Sequence, residues 1–543
     1  MCPTSSDPCL DFKSGAAPRR PRLVATGRSV GIVRVPSHCC GGPTRVNLFI
    51  DFRQSITSPL IVIRSYPYSR RQFLACAAGT LGAAALAGCG APSQTAKGAK
   101  PVTASYRTRP DLKAPLIRVT GPAGVPAPGY LFVTPGGPLM VDNVGQPIWI
   151  HPVPHASTNL QVQRYRGQPV LSWWQGEVAS YGVGEEGEYV VMDSYYRQIM
   201  RVKARHGLPA DLHEFLITGD GTAYFTAYET FTTDLRGVNG PKSGTALDAT
   251  IQGLDLATGD LVFNWHSRDH IALSESYAAY AASSTAPFDP VHVNSIDTTA
   301  DGKLLVSARN TWTIYKLDPV TGRIIWRLAG KKNDFTLGDG VRIGWQHDAR
   351  GHPDDIITLF DDEGDPPEAK QSRGLTLNVD ETAMTAQLVA QYYHPAKKLL
   401  AGSQGRLQVL PNGDVQVGWG AEPYYTEFRN DGTLVLDAEF AEGLSYRAFR
   451  FPWIGTPTEA PAVAVSRDGV GHLTVYASWN GSTETASWQA LAGGSPSELA
   501  PVAAAPRTGF ETSIRVVGSA SYVAARALDA SGAVLATSPA VKV

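Results

Sequence analysis

Between residues 125 and 455 the apolar residues come in short runs, each closed by a polar turn. Asp220-Gly221 leads into Ala223-Tyr224-Phe225-Thr226-Ala227-Tyr228, Asp301-Gly302 into Leu304-Leu305-Val306-Ser307-Ala308, and Asn412-Gly413 into Val415-Gln416-Val417. The first two copies continue into an outer pair of runs. Ile251–Asp255 and Leu261–Trp265 flank Thr258-Gly259, and Thr313–Leu317 and Arg323–Trp326 flank Thr321-Gly322. In the third copy Tyr425–Asn430 leads to Gly432. Apolar runs joined by Asx-Gly or Thr-Gly pairs are β-hairpins. Four strands per unit, repeated at roughly 40–80 residues, predict propeller blades. Six units fit the pattern: Gly129–Pro152, Asn159–Lys203, His213–Ser267, His292–Gly330, His347–His394 and Gly405–Phe440. The segment Tyr446–Phe451 is expected to close the ring by pairing with an N-terminal blade.

After Pro461 the pattern changes. Charged residues thin out and Val, Ala, Ser and Thr alternate, as in His472–Gly481, Ser487–Ala492, Thr512–Val517 and Ser521–Leu528. Strands spaced at roughly 8–12 residues predict a small sandwich of immunoglobulin type. The expected fold is therefore all-β: a six-bladed β-propeller over 125–455, then a small C-terminal Ig-like β-sandwich over 460–543. No chemistry is evident in the second module.

The first 88 residues differ in kind. Ser69-Arg70-Arg71-Gln72-Phe73-Leu74 precedes a Gly/Ala-rich run that ends in Leu86-Ala87-Gly88-Cys89. The run is too short for a spanning helix of roughly 20 apolar residues. Paired arginines before a short apolar region look like a twin-arginine export signal, and the terminal Cys resembles a lipoprotein cleavage box. Residues 1–88 thus read as an upstream extension plus signal peptide, with the true start expected near Val62. Residues 89–124 read as a lipidated Cys89 and linker. The expected location is the outer face of the cell membrane, held by the lipid.

Composition sharpens this division. The chain has 543 residues, 18 % charged and 43 % hydrophobic, which excludes wholesale disorder. The net charge of −1 splits into +8 over residues 1–88 and −9 over the rest. An acidic body excludes a general nucleic-acid-binding surface. All six cysteines lie at or before Cys89, so the body holds no internal disulfide and no thiolate metal site.

Three histidines stand at equivalent places in successive units: His213 in Asp211-Leu212-His213-Glu214-Phe215, His292 in Val291-His292-Val293-Asn294-Ser295-Ile296, and His347 in Trp345-Gln346-His347-Asp348. Each precedes or begins an innermost strand, so propeller geometry brings them to one channel mouth. Arg309 ends the second strand of the His292 unit, and an antiparallel hairpin returns it to the end where His292 starts. Three imidazoles suit a transition metal, with Asp348 or Glu214 as a further ligand. Three imidazoles beside a guanidinium instead suit a tetrahedral oxyanion or a carboxylate.

The motifs Asp-Leu-His-Glu-Phe, His-Val-Asn-Ser-Ile, Ser-Ala-Arg-Asn, Gln-His-Asp, Ser372-Arg373-Gly374 and Ser445-Tyr446-Arg447-Ala448-Phe449-Arg450 together resemble the arylsulfotransferase family of six-bladed propellers. The resemblance covers 211–450. It implies transfer of a sulfuryl group from a phenolic sulfate ester to a phenol, in ping-pong fashion, through a transient sulfo-histidine and without a cofactor. It implies His347 as nucleophile, and His213, His292 and Arg309 as groups that bind the sulfuryl oxygens. One histidine would also move the phenolic proton, and Asn294 would be an additional donor. The partners implied are a small aryl sulfate donor and a phenol acceptor. Two other readings remain open at this point: a non-catalytic surface propeller that binds a glycan or protein, and a metal-dependent hydrolase or lactonase.

Overall fold

The computed structural model describes residues 102–122 and 124–543. The export segment, with Arg70, Arg71 and Cys89, lies outside the described residues. Among the described residues the elements are β-strands and three 3-10 turns. No helix there is long and apolar enough to cross a membrane.

Six antiparallel meanders follow one another along the chain. The first sheet holds Tyr130–Val133, Leu139–Val141 and Pro147–Ile150. The second runs from Ala156–Tyr165 through Gln168–Val178 and Gly184–Met192 to Gln198–Val202. Ala210–Ile217, Thr222–Thr233, Gly244–Asp255 and Leu261–His266 make the third, and Val293–Thr298, Leu304–Ala308, Thr313–Leu317 and Ile324–Leu328 the fourth. The fifth comprises His347–His352, Ile356–Asp361, Arg373–Asp380 and Thr385–Tyr392, with a short parallel addition at Thr336–Leu337. The sixth is Arg406–Val409, Val415–Gly418, Tyr424–Phe428 and Leu434–Phe440. Such serial four-stranded sheets are propeller-like. The central strands are apolar on both faces, as in Leu304–Ala308, where every residue is buried. The hairpin turns use glycine where the chain must bend left: Gly221 has φ 89° and Gly302 φ 72°.

Both ends of the chain of sheets are sewn to the N-terminal segment. Phe449–Phe451 pairs with Tyr130–Val133, the pairing expected for the 446–451 segment. Ile117–Pro122 pairs with Leu434–Phe440. The second pairing corrects the sequence reading of 89–124 as lipidated cysteine and linker alone. Within that segment Thr103–Ser105 pairs with Lys113–Pro115, and Ile117–Pro122 becomes the outer strand of the sixth sheet. The physical reason is burial. Leu112, Ala114 and Ile117 join a core with Leu436, Ala438 and Phe440, and a free tether would leave that apolar surface in water.

Residues 462–543 form two further sheets. Ala462–Arg467, Leu473–Ser478 and Glu511–Val516 make one. Ser487–Gly493, Ala500–Pro506, Tyr522–Leu528 and Val534–Thr537 make the other, with Val541–Lys542 paired to Tyr522–Leu528. Val475, Trp488, Ile514 and Val523 fill the core between them.

At the centre of the meanders lies a buried charge cluster. Arg447 is fully buried, and its guanidinium touches Asp348 at 3.0 Å and Glu214 at 3.5 Å. Arg350 pairs with Asp348 at 2.6 Å and also with Glu214, and Arg406 reaches Asp348 at 3.1 Å. Asp348 and Glu214, open in sequence as further metal ligands, are thus the acceptors of three arginines. Arg447 also donates to the carbonyls of His213 at 3.0 Å and Asn294 at 2.7 Å, and to the Asn159 side chain at 3.1 Å. One side chain therefore ties the second, third, fourth and fifth sheets together. Removing one partner of such a cluster strands the others in low dielectric. Arg447→Ala should lower the unfolding free energy by about 3–5 kcal/mol, read as a fall in the urea midpoint. An unchanged midpoint would show that the cluster does not hold the sheets.

Candidate functional site

The strand starts place the histidines. His213 lies in Ala210–Ile217 where the register shifts, His292 immediately precedes Val293–Thr298, and His347 opens His347–His352. Several residues around these starts adopt left-handed backbone without being glycine: Asn159, His292, Trp345, Asp348 and Gln404 have φ between 55° and 71°. Such conformations persist only where the surroundings enforce them, and they cluster at functional sites. Arg309 follows Leu304–Ala308, and its N–H donates to the His292 carbonyl at 2.9 Å. The hairpin return anticipated from sequence is therefore present.

The three histidines and Arg309 line one cavity of about 570 Å³. The His213 and His292 rings meet edge to face with centroids 4.6 Å apart. Tyr446 lies 5.7 Å from His213 and 6.3 Å from His347, and its hydroxyl is buried without a partner. Val178, Tyr181, Leu212 and Leu444 also line the cavity, so it combines an apolar wall with a cationic, imidazole-rich part.

Each histidine turns Nδ1 to its own aspartate. The separations are 2.6 Å for His213–Asp211, 2.6 Å for His292–Asp289 and 2.8 Å for His347–Asp362. An Nδ1–H donated to a carboxylate leaves Nε2 as the free ring atom. The Nε2 atoms of His213 and His292 have no hydrogen-bond partner among the described residues. His347 Nε2 accepts the Gln404 backbone N–H at 3.1 Å. That bond marks Nε2 as unprotonated and shows the direction of its lone pair.

Burial, and then the charge of Arg309, holds the His347 pKa well below the usual histidine value. Burial likewise lowers His292, against the pull of Asp289. Burial pushes the Asp362 carboxyl well up. Arg309 is itself lowered by burial, with Asp362, Asp365 and Asp289 opposing. It has no carboxylate within ion-pair reach among the described residues. Its guanidinium instead donates to the carbonyls of Gly402 at 2.8 Å and Asp365 at 3.3 Å and stacks 4.7 Å over the Trp345 ring. A half-buried cation whose donors meet only neutral oxygens, Asn310 Oδ1 at 3.1 Å among them, keeps its charge available to an anion.

Asn294 is placed differently from its sequence reading. It is fully buried, it is absent from the cavity lining, and its Nδ2 donates to the Gln346 carbonyl at 2.7 Å. The donor expected for substrate instead holds the strand start that carries His347. Sequence reasoning missed the three aspartates, Tyr446 and the 402–404 loop. Asp211 and Asp289, two and three residues before their histidines, carried a legible signal, but Asp362 carried none. The metal reading also has a geometric test. The described trio close enough to share an ion is Glu229, Asp248 and His266, outside this cavity, and Arg268 already sits 2.9 Å from Glu229.

A family model described as Arylsulfotransferase (ASST) matches residues 161–441, just over half of the chain. The chain belongs to the arylsulfotransferase family. The matched span contains all three histidines and Arg309 but ends before Tyr446. No curated protein matches the chain. Solved structures similar to it include a protein of unknown function from Bacteroides caccae, at 12 % identity over 59 % of this chain and 98 % of that one, TM-score 0.37. Virginiamycin B lyase from Staphylococcus aureus matches at 8 % over 74 % and 99 %, TM-score 0.30. A GH43 protein from Bacillus licheniformis matches at 9 % over 69 % and 84 %, TM-score 0.31. These likenesses are too distant to inform function.

Because the His347 pKa is lowered, its neutral form is present above that value and is lost as the pH falls through it. Ring NMR signals of His347 should therefore titrate below pH 6.5. A midpoint at or above 6.5 would remove the basis for a neutral imidazole here.

Proposed function

We propose that this arylsulfotransferase-family protein moves a sulfuryl group from a phenolic sulfate ester to a phenol through a sulfo-histidine on His347. The observation that carries the reading is the convergence of His213, His292, His347 and Arg309 on one partly apolar cavity. The apolar wall suits an aromatic ring. Arg309, whose guanidinium rests on carbonyls, suits the sulfate oxygens.

In the first half-reaction His347 Nε2 attacks sulfur in line with the ester oxygen. The N–S bond forms, the S–O bond breaks, and the leaving phenolic oxygen takes a proton from Nε2 of the protonated His213. The sulfuryl group must displace the Gln404 N–H from the His347 lone pair. His347 keeps its Nδ1–H, and the ring gains positive charge that faces Asp362 across 2.8 Å. In the second half-reaction the acceptor phenol gives its proton to His213 Nε2 as its oxygen attacks sulfur, and the N–S bond breaks. Protons and charge balance over the cycle, and no cofactor enters. Positioning and charge stabilisation do most of the work in such transfers, and a neutral imidazole is a competent nucleophile near pH 7.

The same reading assigns the meanders of 125–455 to a six-bladed propeller and 460–543 to an Ig-like accessory sandwich. It places the protein outside the cell membrane, exported by the twin-arginine route and lipid-anchored through Cys89. Globomycin-sensitive processing of the full-length precursor tests the anchor, and processing that is indifferent to Cys89→Ala would reject it.

The reaction is tested with 4-nitrophenyl sulfate as donor and phenol as acceptor. Wild type should release 4-nitrophenol and form phenyl sulfate with ping-pong kinetics. His347→Asn should fall to background while keeping its circular dichroism. Arg309→Ala should lose on the order of 10²–10³ in kcat/KM. Full turnover in folded His347→Asn would reject the nucleophile.

A further inference from the structure

Of the three aspartates behind the histidines, Asp211 is held unlike the others. It is fully buried and accepts four hydrogen bonds. Oδ1 takes the Gly184 N–H at 2.7 Å. Oδ2 takes the His213 N–H at 3.0 Å, His213 Nδ1 at 2.6 Å and the Thr226 hydroxyl at 2.8 Å. These donors come from the second sheet and from two strands of the third. A buried oxygen pair surrounded by donors is built to stay ionised. Burial alone would raise this carboxyl, but the His213 imidazole and the hydrogen bonds outweigh it and hold it below the usual carboxylate range. Asp362 is the opposite case: its Oδ1 is buried without a partner. Asp289 takes one backbone N–H besides its histidine, that of Val291 at 3.3 Å. Environments that push paired groups apart divide acid–base roles between them.

The charges facing His213 do not undo this. Glu214, next in the chain, is engaged by Arg350 and approached by Arg447. His292 meets the His213 ring edge to face, and Tyr446 and Tyr228 stand 5.7 Å and 6.0 Å away. The ionised group that touches the ring is therefore Asp211.

We propose that Asp211 is the positioning residue of the proton-transfer histidine. It fixes His213 with Nδ1–H toward itself and Nε2 toward the cavity, and it balances the ring's positive charge whenever Nε2 carries the phenolic proton. The proposal rests on the sulfuryl-transfer reading above. Asp211 touches no reacting atom and acts only through His213.

The test uses donors of different leaving ability with wild-type protein and Asp211→Asn. A poor leaving group needs the proton, whereas 4-nitrophenolate leaves without it. Asp211→Asn should therefore lose on the order of 10²–10⁴ in the donor kcat/KM, which reports the first half-reaction alone, with phenyl sulfate and less than tenfold with 4-nitrophenyl sulfate. The His213→Asn/Asp211→Asn double variant should be no slower than His213→Asn alone, since the two residues act as one unit. Equal losses with both donors, or additive losses in the double variant, would show a merely structural role and overturn the proposal. Histidine ¹⁵N NMR decides without turnover. Wild-type His213 should carry its proton on Nδ1, and that tautomer preference should be lost in Asp211→Asn. A wild-type Nε2–H tautomer overturns the proposal even if the variant fails to fold. If wild type turns over neither donor, the sulfuryl-transfer reading fails, and NMR still decides the pair.

Discussion

The fully buried guanidinium of Arg447 is the constraint on which the rest depends. Strand starts from four sheets that meet around Arg447 bring backbone carbonyls and polar side chains into a space where water cannot solvate them all. Each such group needs a partner or costs about 1–3 kcal/mol. Arg447 meets this need by gripping carbonyls of two histidine-bearing segments, those of His213 and Asn294, while contacting Asp348 and Glu214. The frame that joins the sheets is therefore also the frame that fixes where the histidine-bearing strands start. Stability and site geometry cannot be varied independently here.

The cavity is arranged differently from this cluster. Arg350, Arg406 and Arg447 each meet a carboxylate, whereas Arg309 beside the three imidazoles rests on carbonyls. The carboxylates behind the histidines face the far side of each ring, at Nδ1, and leave Nε2 to the cavity. The local field thus favours an incoming anion although residues 89–543 carry −9 overall. Burial first, and then the charge of Arg309, favours the neutral form of His347.

Much of this was legible in the chain. Asx-Gly and Thr-Gly turns set the hairpins, and hairpin geometry alone brings Arg309 back to His292. Three histidines at matched positions announced a common mouth, and alternation after Pro461 announced a second set of sheets. Three things were not legible. The strand Ile117–Pro122 lies over 300 residues from its partner Leu434–Phe440, and its few apolar residues look like a tether until that edge is present. Asn294 looks like a free donor until Gln346 is seen to take its amide. Asp362 is one of several acidic residues in a loop, and nothing local singles it out as the partner of His347.

What the amino-acid sequence determined by itself is therefore the local grammar: strands, turns, the order of the sheets, and the residue types able to hold an oxyanion. Those follow from side-chain period and turn stereochemistry, which act over a few residues. The tertiary structure alone decided the partners: which carboxylate stands behind which imidazole, that Arg309 rests on carbonyls, and that Arg447 ties four sheets at their centre. Pairing in a buried space depends on distance and desolvation, and neither can be read from positions along a chain.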